Sequence, residues 1–221
     1  MTGPGPAATE VESRPDPRYA EAMNPTVTPH LPTPPDPGPR YWTREEYYRL
    51  AGLGFFQGQR AERIGGQIMV MSPQDWPHAS GTDKAWETLR NSFGPGYWVR
   101  MQLPLELGQS SDPEPDVSVV VGRREDYSNH PTTAVLVVEV SDTSLAMDRG
   151  DKANLYAAAG IADYWVIDVN GRRVEIYRDP KPDPAKPFGA WYTKVTVCGP
   201  ADVIVPLAAP TARITGADLM P

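Results

Sequence analysis

VLVVEVSDTSLAMDRGDK, residues 135–152, joins two patterns that together set the fold. It opens on an apolar run that is typical of a strand buried on both faces of a sheet. It closes on the start of DRGDKANLYAAAG, which is predicted as a helix that ends at Gly160. Glu139 lies inside the apolar run, and a buried glutamate is rare unless another group offsets its charge. This carboxylate therefore indicates a functional site.

Strand patterns continue on both sides of this stretch. Apolar runs predict further strands at YWVRMQLPLEL, DPEPDVSVVV, ADYWVIDV, VEIYRD, WYTKVTV and DVIVPL. NGRR is predicted as a hairpin turn, and the proline-rich DPKPDPAKP as a solvated loop. A meander of strands with one crossover helix favours an α/β or α+β fold, with a mixed central β-sheet flanked by helices.

Two helices and a hairpin precede these strands. Thr43 and Glu46 have the spacing of a capping box, so a helix is predicted to begin there. AERIGGQIMVMSP is predicted as a hairpin that turns at its Gly-Gly pair. Residues 77–93 are predicted as a second helix, with Ala85, Leu89 and Phe93 along one apolar stripe.

The 221-residue chain has room for one ordinary domain and a tail. Residues 1–40 contain eleven of the 26 prolines and almost no periodic apolar pattern. We therefore expect them to form a disordered, proline-rich N-terminal arm. Residues 41–221 are predicted to form the folded domain.

Charge and composition exclude several classes of protein. The net charge of −7 argues against holding nucleic acid by bulk electrostatics, so any contact with nucleic acid must be local. The one cysteine excludes an internal disulfide, and no basic segment followed by an apolar run opens the chain. No stretch reaches the roughly 20 apolar residues of a membrane helix. We therefore expect a cytoplasmic protein that is not inserted in a membrane.

Asp116 is a second carboxylate placed beside apolar sequence, at the start of DVSVVV. If this strand pairs antiparallel with the strand of Glu139, the start of the first lies beside the end of the second. Two carboxylates at one sheet edge require a cation, and their oxygen atoms suit Mg²⁺ or Mn²⁺. Lys152, in the following helix, could offset their charge and either orient an attacking water or help to deprotonate it.

Together these motifs resemble a known family. EPD, VVEVSDTS, DRGDKANLYAAAGIADYWVID and the upstream ERIGGQIMVMSP are similar to the bacterial restriction endonuclease family that forms a branch of the PD-(D/E)xK nuclease superfamily. The resemblance covers residues 42–180 and is most specific at DRGDKANLYAAAGIADYWVID. It implies a restriction-endonuclease-like core and Mg²⁺-dependent hydrolysis of phosphodiester bonds, with DNA as the partner.

The resemblance also implies roles for five residues. Asp116 and Glu139 match the acidic metal ligands, and Lys152 matches the helix lysine of the catalytic group. Glu62, in the first hairpin, matches an acidic position that can complete the cluster. His78 matches a histidine that follows the Ser-Pro turn, although the residues alone favour a structural or helix N-terminal role for it.

The chain departs from the superfamily pattern at Ser141, where a lysine is expected two positions after Glu139. We therefore predict that Lys152 reaches back into the site from its helix.

Two other charged residues are given structural roles. Arg149 is interpreted as an ion-pair partner of Asp148 or Asp151. Asp168 is interpreted as a residue that shapes the NGRR turn.

Several interpretations of the function stay open at this point. Besides a DNA endonuclease, the chain could be a catalytically silent nuclease-fold module that binds nucleic acid or protein, which the acidic charge and Ser141 favour. RNA or branched nucleic acid is a further substrate class. A homodimer would suit double-strand cleavage, because two symmetric sites can cut two antiparallel strands.

Overall fold

The strand that carries Glu139 lies in the middle of a six-stranded sheet in the computed structural model, which describes residues 38–221. The strands of these residues are β1 (Arg60–Ile64), β2 (Gln67–Met71), β3 (Tyr97–Met101), β4 (Val117–Val121), β5 (Leu136–Ser141), β6 (Asp163–Asp168), β7 (Arg173–Pro182), β8 (Ala190–Cys198), β9 (Val203–Ile204) and β10 (Ile214–Thr215). The α-helices are α1 (Arg44–Gly52), α2 (Trp76–Ser92), α3 (Leu145–Met147), α4 (Ala153–Ala158) and α5 (Gly216–Leu219). Nearly all of the predicted N-terminal arm, residues 1–40, lies outside the described residues.

The central sheet is mixed. Its strand order is β3-β4-β5-β6-β7-β8, and β5 and β6 are its one parallel pair within residues 38–221. The chain connects these two strands through α3 and α4, which is the crossover that a parallel pair requires. The predicted fold class, a mixed sheet flanked by helices, is confirmed.

The segments before the central sheet form as predicted. The Glu46 N–H donates to Thr43 Oγ1 at 3.2 Å, and the Thr43 N–H donates to Glu46 Oε2 at 3.0 Å, so a capping box begins α1. β1 and β2 pair antiparallel as a separate hairpin. Gly65 and Gly66 both have positive φ at its turn, which explains the Gly-Gly pair.

β4 and β5 pair antiparallel, as predicted, with Val117 opposite Val138 and Val119 opposite Leu136. In this register the residue before β4 lies beside the last residues of β5. The two predicted acidic positions therefore reach the same edge of the sheet.

Helix α2 covers one face of the sheet. Its predicted apolar stripe, Ala85, Leu89 and Phe93, packs against buried residues of the central strands. A Cβ atom at Gly81 would lie only 2.9 Å from Val140 Cγ1, so glycine is required where α2 meets β5. Alternate residues of β5 point to the other face, which α4 covers.

The segment after β5 is helical, but it is not the regular helix that the sequence predicts. A turn of π-helix at Asp148–Lys152 stands between α3 and α4. Asp148 Oδ2 accepts hydrogen bonds from Ser141 Oγ at 2.7 Å and from Ser144 Oγ at 2.5 Å, and these bonds hold the wide turn against the sheet. Gly160 follows the helix with a φ of 73°, as predicted.

Two predictions for the last third of the chain hold only in part. β7 continues to Pro182, where the sequence predicts a loop over DPKPDPAKP. β6 pairs with β7 only as far as Arg178, so among residues 38–221 the end of β7 has one neighbouring strand. Proline lacks an N–H, and it is tolerated there because no second strand of these residues needs that donor. DVIVPL contributes only Val203–Ile204, which pairs with β10 outside the central sheet.

No helix within residues 38–221 combines the length and the apolar character that crossing a membrane would require.

Candidate active site

Four of the predicted site residues come together at one edge of the sheet. The Lys152 ammonium donates to Glu139 Oε1 at 3.0 Å and lies 3.2 Å from Glu62 Oε2. The Asp116 N–H lies 3.4 Å from Glu139 Oε2. The exposed fraction is 1% for Glu62, 4% for Asp116, and 2% for both Glu139 and Lys152. Three carboxylates and one ammonium buried this deeply are costly, which is typical of a functional cluster.

Strand pairing places the first two carboxylates. Asp116 immediately precedes β4 and Glu139 lies near the end of β5, so the antiparallel register sets them side by side. Asp116 Oδ2 accepts a hydrogen bond from the Val140 N–H at 2.9 Å. This bond ties one carboxylate to the strand that carries the other.

Glu62 reaches the cluster from the β1–β2 hairpin. Its neighbour Arg63 is buried and forms an ion pair with Asp112 at 2.7 Å. Arg63 also donates to the carbonyl oxygens of Trp42 and Gln109, at 3.1 Å and 3.0 Å. These contacts anchor the hairpin beside the sheet, so that Glu62 faces the ammonium.

Lys152 enters the cluster from the end of the π-helical turn. Ser141, where the resemblance stated above leads us to expect a lysine, donates to Asp148 at the start of the same turn. The ammonium therefore reaches Glu139 from the helix. Ser141, on the strand, holds the start of the π-helical turn through its bond to Asp148.

The cluster shifts three pKa values. Burial by itself lowers the pKa of Lys152, but the Glu139 and Glu62 carboxylates hold it well above its ordinary value. Burial raises the pKa of Glu139 well above its ordinary value, since one ammonium faces several carboxylates. Burial also opposes ionisation of Asp116, but hydrogen bonding from His78 holds the pKa of that carboxyl below its ordinary value. At neutral pH, Lys152 is therefore a cation and Asp116 an anion.

His78 connects the cluster to a groove. It lies in the first turn of α2, and its Nε2 atom is 3.3 Å from Asp116 Oδ2. Its Nδ1 atom is buried and has no hydrogen-bond partner in the described part of the chain. The groove has a volume of about 470 Å³ and is lined by His78 together with residues of β2, of the α2 N-terminus and of the loop after β5. His78 thus has a helix N-terminal position and also contacts a candidate metal ligand.

Two further residues contact the carboxylates, and sequence reasoning did not identify them. The Tyr156 hydroxyl donates to Glu139 Oε1 at 2.6 Å, and Gln102 Nε2 donates to Asp116 Oδ1 at 3.3 Å. Tyr156 follows Lys152 by four residues, a spacing that puts both on one helix face and could have identified it. Gln102 carries no such signal, because its contact depends on an unusual backbone conformation.

Gln102 directly follows β3 with a φ of 49°, in the left-handed region that favours glycine. Its N–H donates to the Asp116 carbonyl oxygen at 3.1 Å, so this conformation brings both its backbone and its amide to Asp116. We expect the free energy of unfolding to be about 1 kcal/mol higher for Gln102→Gly than for Gln102→Ala, because glycine adopts this φ without strain. Urea unfolding of the two variants measures the difference. Equal stabilities would contradict the strained conformation.

Arg149 forms ion pairs, but not with the predicted partners. It contacts Asp168 Oδ2 at 3.1 Å and also Glu175 of β7, instead of Asp148 or Asp151. Residues one or two positions apart on a helix do not face each other, which is why the predicted pairs do not form. Asp168 also accepts a hydrogen bond in the turn after β6, which it shapes as predicted.

The oxygen atoms of the cluster suit a hard divalent cation. Glu139 and Asp116 each have one oxygen whose hydrogen bond is long. Glu139 Oε2 lies 3.4 Å from the Asp116 N–H, and Asp116 Oδ1 lies 3.3 Å from Gln102 Nε2. Across residues 38–221, no three acidic, histidine or cysteine side chains form a ready-made metal site. Mg²⁺ does not need one, since it commonly binds one or two carboxylates and keeps several waters. The residues present therefore fit Mg²⁺ or Mn²⁺.

Comparisons with known proteins agree with this fold. A sequence model of the Uma2 family, described as "Putative restriction endonuclease", matches residues 44–206. A search of curated proteins finds no match. The fold is similar to the crystal structure of "a putative nuclease belonging to DUF820" from Anabaena variabilis, with a TM-score of 0.61 and 17% sequence identity, over 80% of this chain and 96% of that one. The predicted restriction-endonuclease-like core is confirmed.

Proposed function

Because the chain belongs to the Uma2 family, we propose that it is an endonuclease that uses Mg²⁺ or Mn²⁺ to hydrolyse phosphodiester bonds in DNA. The observation that carries this proposal is the Lys152 ammonium, which is buried between Glu139 and Glu62, with Asp116 beside Glu139. Such a cluster is costly to bury. It supplies what phosphodiester hydrolysis needs, namely ligands for a cation and a positive group beside the attacking water.

Asp116 and Glu139 would hold the cation. When bound, it would polarise the phosphate and lower the pKa of water. The chain prepares both carboxylates for this role by fixing one oxygen of each. The Val140 N–H holds Asp116 Oδ2, and Lys152 and Tyr156 hold Glu139 Oε1.

Lys152 orients the attacking water and stabilises negative charge, and it does not act as the base. Although burial alone lowers its pKa, the carboxylates around it hold that pKa well above its ordinary value, so Lys152 stays an ammonium at neutral pH. In the reaction, the water oxygen bonds to phosphorus as the bond from phosphorus to one sugar oxygen breaks. Water releases a proton to solvent, and the leaving oxygen takes one up. Glu62 keeps the ammonium in position.

Nicking of a supercoiled plasmid tests this proposal. We expect the full chain to nick the plasmid with Mg²⁺ and to stop when EDTA is added. Asp116→Ala is expected to lower the rate at least about 100-fold, because losing a metal ligand removes several kcal/mol of transition-state stabilisation. The matched control is Asp126→Ala, which removes an exposed aspartate and should keep the wild-type rate. Metal-independent nicking, or undiminished nicking by Asp116→Ala, contradicts the proposal.

A catalytically silent nuclease-fold module is the second candidate, and the burial of the cluster favours it. None of the four charged residues is more than 4% exposed, and a closed ion cluster can serve stability alone. The two candidates differ in metal binding, because a silent module should show no Mn²⁺ binding that depends on Glu139. Calorimetric titration separates them. For an active enzyme, a panel of duplex DNA, branched DNA and RNA then identifies the substrate class.

A further inference from the structure

We propose that Tyr156 is a positioning residue for Glu139: its hydroxyl commits one carboxylate oxygen to the protein and leaves the other for a divalent cation. This inference rests on the proposed function and deepens it, since it names the residue that sets the orientation of a metal ligand.

Two donors converge on the same oxygen of Glu139. The Tyr156 hydroxyl donates to Oε1 at 2.6 Å, and Lys152 Nζ donates to it at 3.0 Å. The other oxygen, Oε2, lies 3.4 Å from the Asp116 N–H, which is long for a hydrogen bond. The carboxylate therefore has one occupied oxygen and one available oxygen, and the available oxygen is on the Asp116 side.

Lys152 alone does not set this orientation, because it is shared. Its Nζ atom also lies 3.3 Å from Glu62 Oε1 and 3.2 Å from Glu62 Oε2. The last torsion of a glutamate is broad, so a carboxylate held by one shared donor can rotate. A short bond from a second donor selects one orientation, and Tyr156 supplies that bond.

The tyrosine is itself held rigidly. It is fully buried in the core cluster between α4 and the sheet, and its ring centroid lies 4.9 Å from that of Tyr164. A tyrosine hydroxyl carries its proton at neutral pH and can donate it to a carboxylate. Lys152 and Tyr156, one helical turn apart, therefore present two donors to Glu139 from one helix face.

Calorimetric titration of the full chain with Mn²⁺ tests the inference. Tyr156→Phe removes the hydroxyl and keeps the ring, and we expect it to weaken Mn²⁺ binding about 10-fold, as is typical when a partner that orients a metal ligand is removed. Tyr192→Phe is the matched control, because Tyr192 is buried in the same cluster and donates to the Ile161 carbonyl oxygen at 2.8 Å. It should keep the wild-type Mn²⁺ affinity. Melting temperatures without metal measure what each variant loses in stability.

Weaker Mn²⁺ binding in Tyr156→Phe alone, with similar melting temperatures for the two variants, supports the positioning role. Equal Mn²⁺ affinities for the wild type and Tyr156→Phe would overturn it, since the hydroxyl would then be purely structural. Failure of the proposed function has a different signature. In that case the wild type would bind no Mn²⁺, or Glu139→Gln would bind it as well as the wild type, and both proposals would fall.

Discussion

Lys152→Met is expected to lower the free energy of unfolding by about 3–5 kcal/mol at pH 7 and to reduce cleavage at least about 100-fold. Methionine resembles lysine in size but carries no charge. It would leave Glu139 and Glu62 buried without the ammonium that lies 3.0 Å and 3.2 Å from them. Removing one partner of a buried ion pair costs much more than removing a surface charge, because the charge that remains is not solvated.

This loss of stability should depend on pH, and the sign of the dependence identifies its cause. Burial raises the pKa of Glu139 well above its ordinary value. A group whose pKa is raised on folding contributes stability at low pH and loses it as pH rises through the folded-state pKa. Lys152→Met removes the positive charge that opposes this penalty most strongly. Lys152→Met should therefore be closer to the wild type in stability at pH 5 than at pH 8.

Urea unfolding at both pH values measures the stability, and plasmid nicking measures the activity. Lys194→Met is the matched control, since Lys194 is an exposed lysine of strand β8 whose one ion pair, with Asp179 at 3.6 Å, lies on the surface and contributes little. It should change the free energy of unfolding by less than about 0.5 kcal/mol and nick at the wild-type rate. A Lys152→Met deficit of equal size at pH 5 and pH 8 would show that the buried carboxylates are not its cause.

Glu139→Gln is expected to abolish Mn²⁺ binding and to lower cleavage at least about 100-fold, with a smaller loss of stability than Lys152→Met. The amide keeps the shape of the side chain, and its oxygen can still accept hydrogen bonds from Tyr156 and Lys152. It lacks the negative charge that a divalent cation requires, and losing such a ligand removes several kcal/mol of transition-state stabilisation.

Calorimetric titration with Mn²⁺ and plasmid nicking check the Glu139→Gln result. Glu175→Gln is the control, because Glu175 is a buried glutamate of β7 that pairs with Arg149 and Arg173 outside the cluster. It should bind Mn²⁺ like the wild type, even though it loses an ion pair. Near-normal Mn²⁺ affinity in Glu139→Gln would exclude Glu139 as a ligand.

Local patterns predict most of the helices and strands. The capping box of Thr43 and Glu46 and the turn at Gly65 and Gly66 depend on residues a few positions apart, so the sequence shows them directly. The end of β7 is different. Its prolines indicate a loop. They are tolerated in a strand because, in the part of the chain that the structure describes, Pro182 has a neighbouring strand on one side only.

The candidate site was predictable in part. Asp116 and Glu139 stand out because each is a charge beside an apolar run, and Lys152 and Glu62 were added by the family resemblance. Gln102 could not be found, since nothing in its neighbours indicates a left-handed backbone after β3.

By itself, the sequence predicts most of the strands and, if two of them pair antiparallel, that two carboxylates reach one edge of a mixed sheet. Only the tertiary structure decides that Lys152 meets Glu62, a residue 90 positions away, and that Tyr156 completes the contact with Glu139. The reason is that these contacts depend on a hairpin anchored by Arg63 and on a π-helical turn held by Asp148. Both depend on bonds between separate elements, whereas periodicity, caps and turns report only on interactions between near neighbours in the chain.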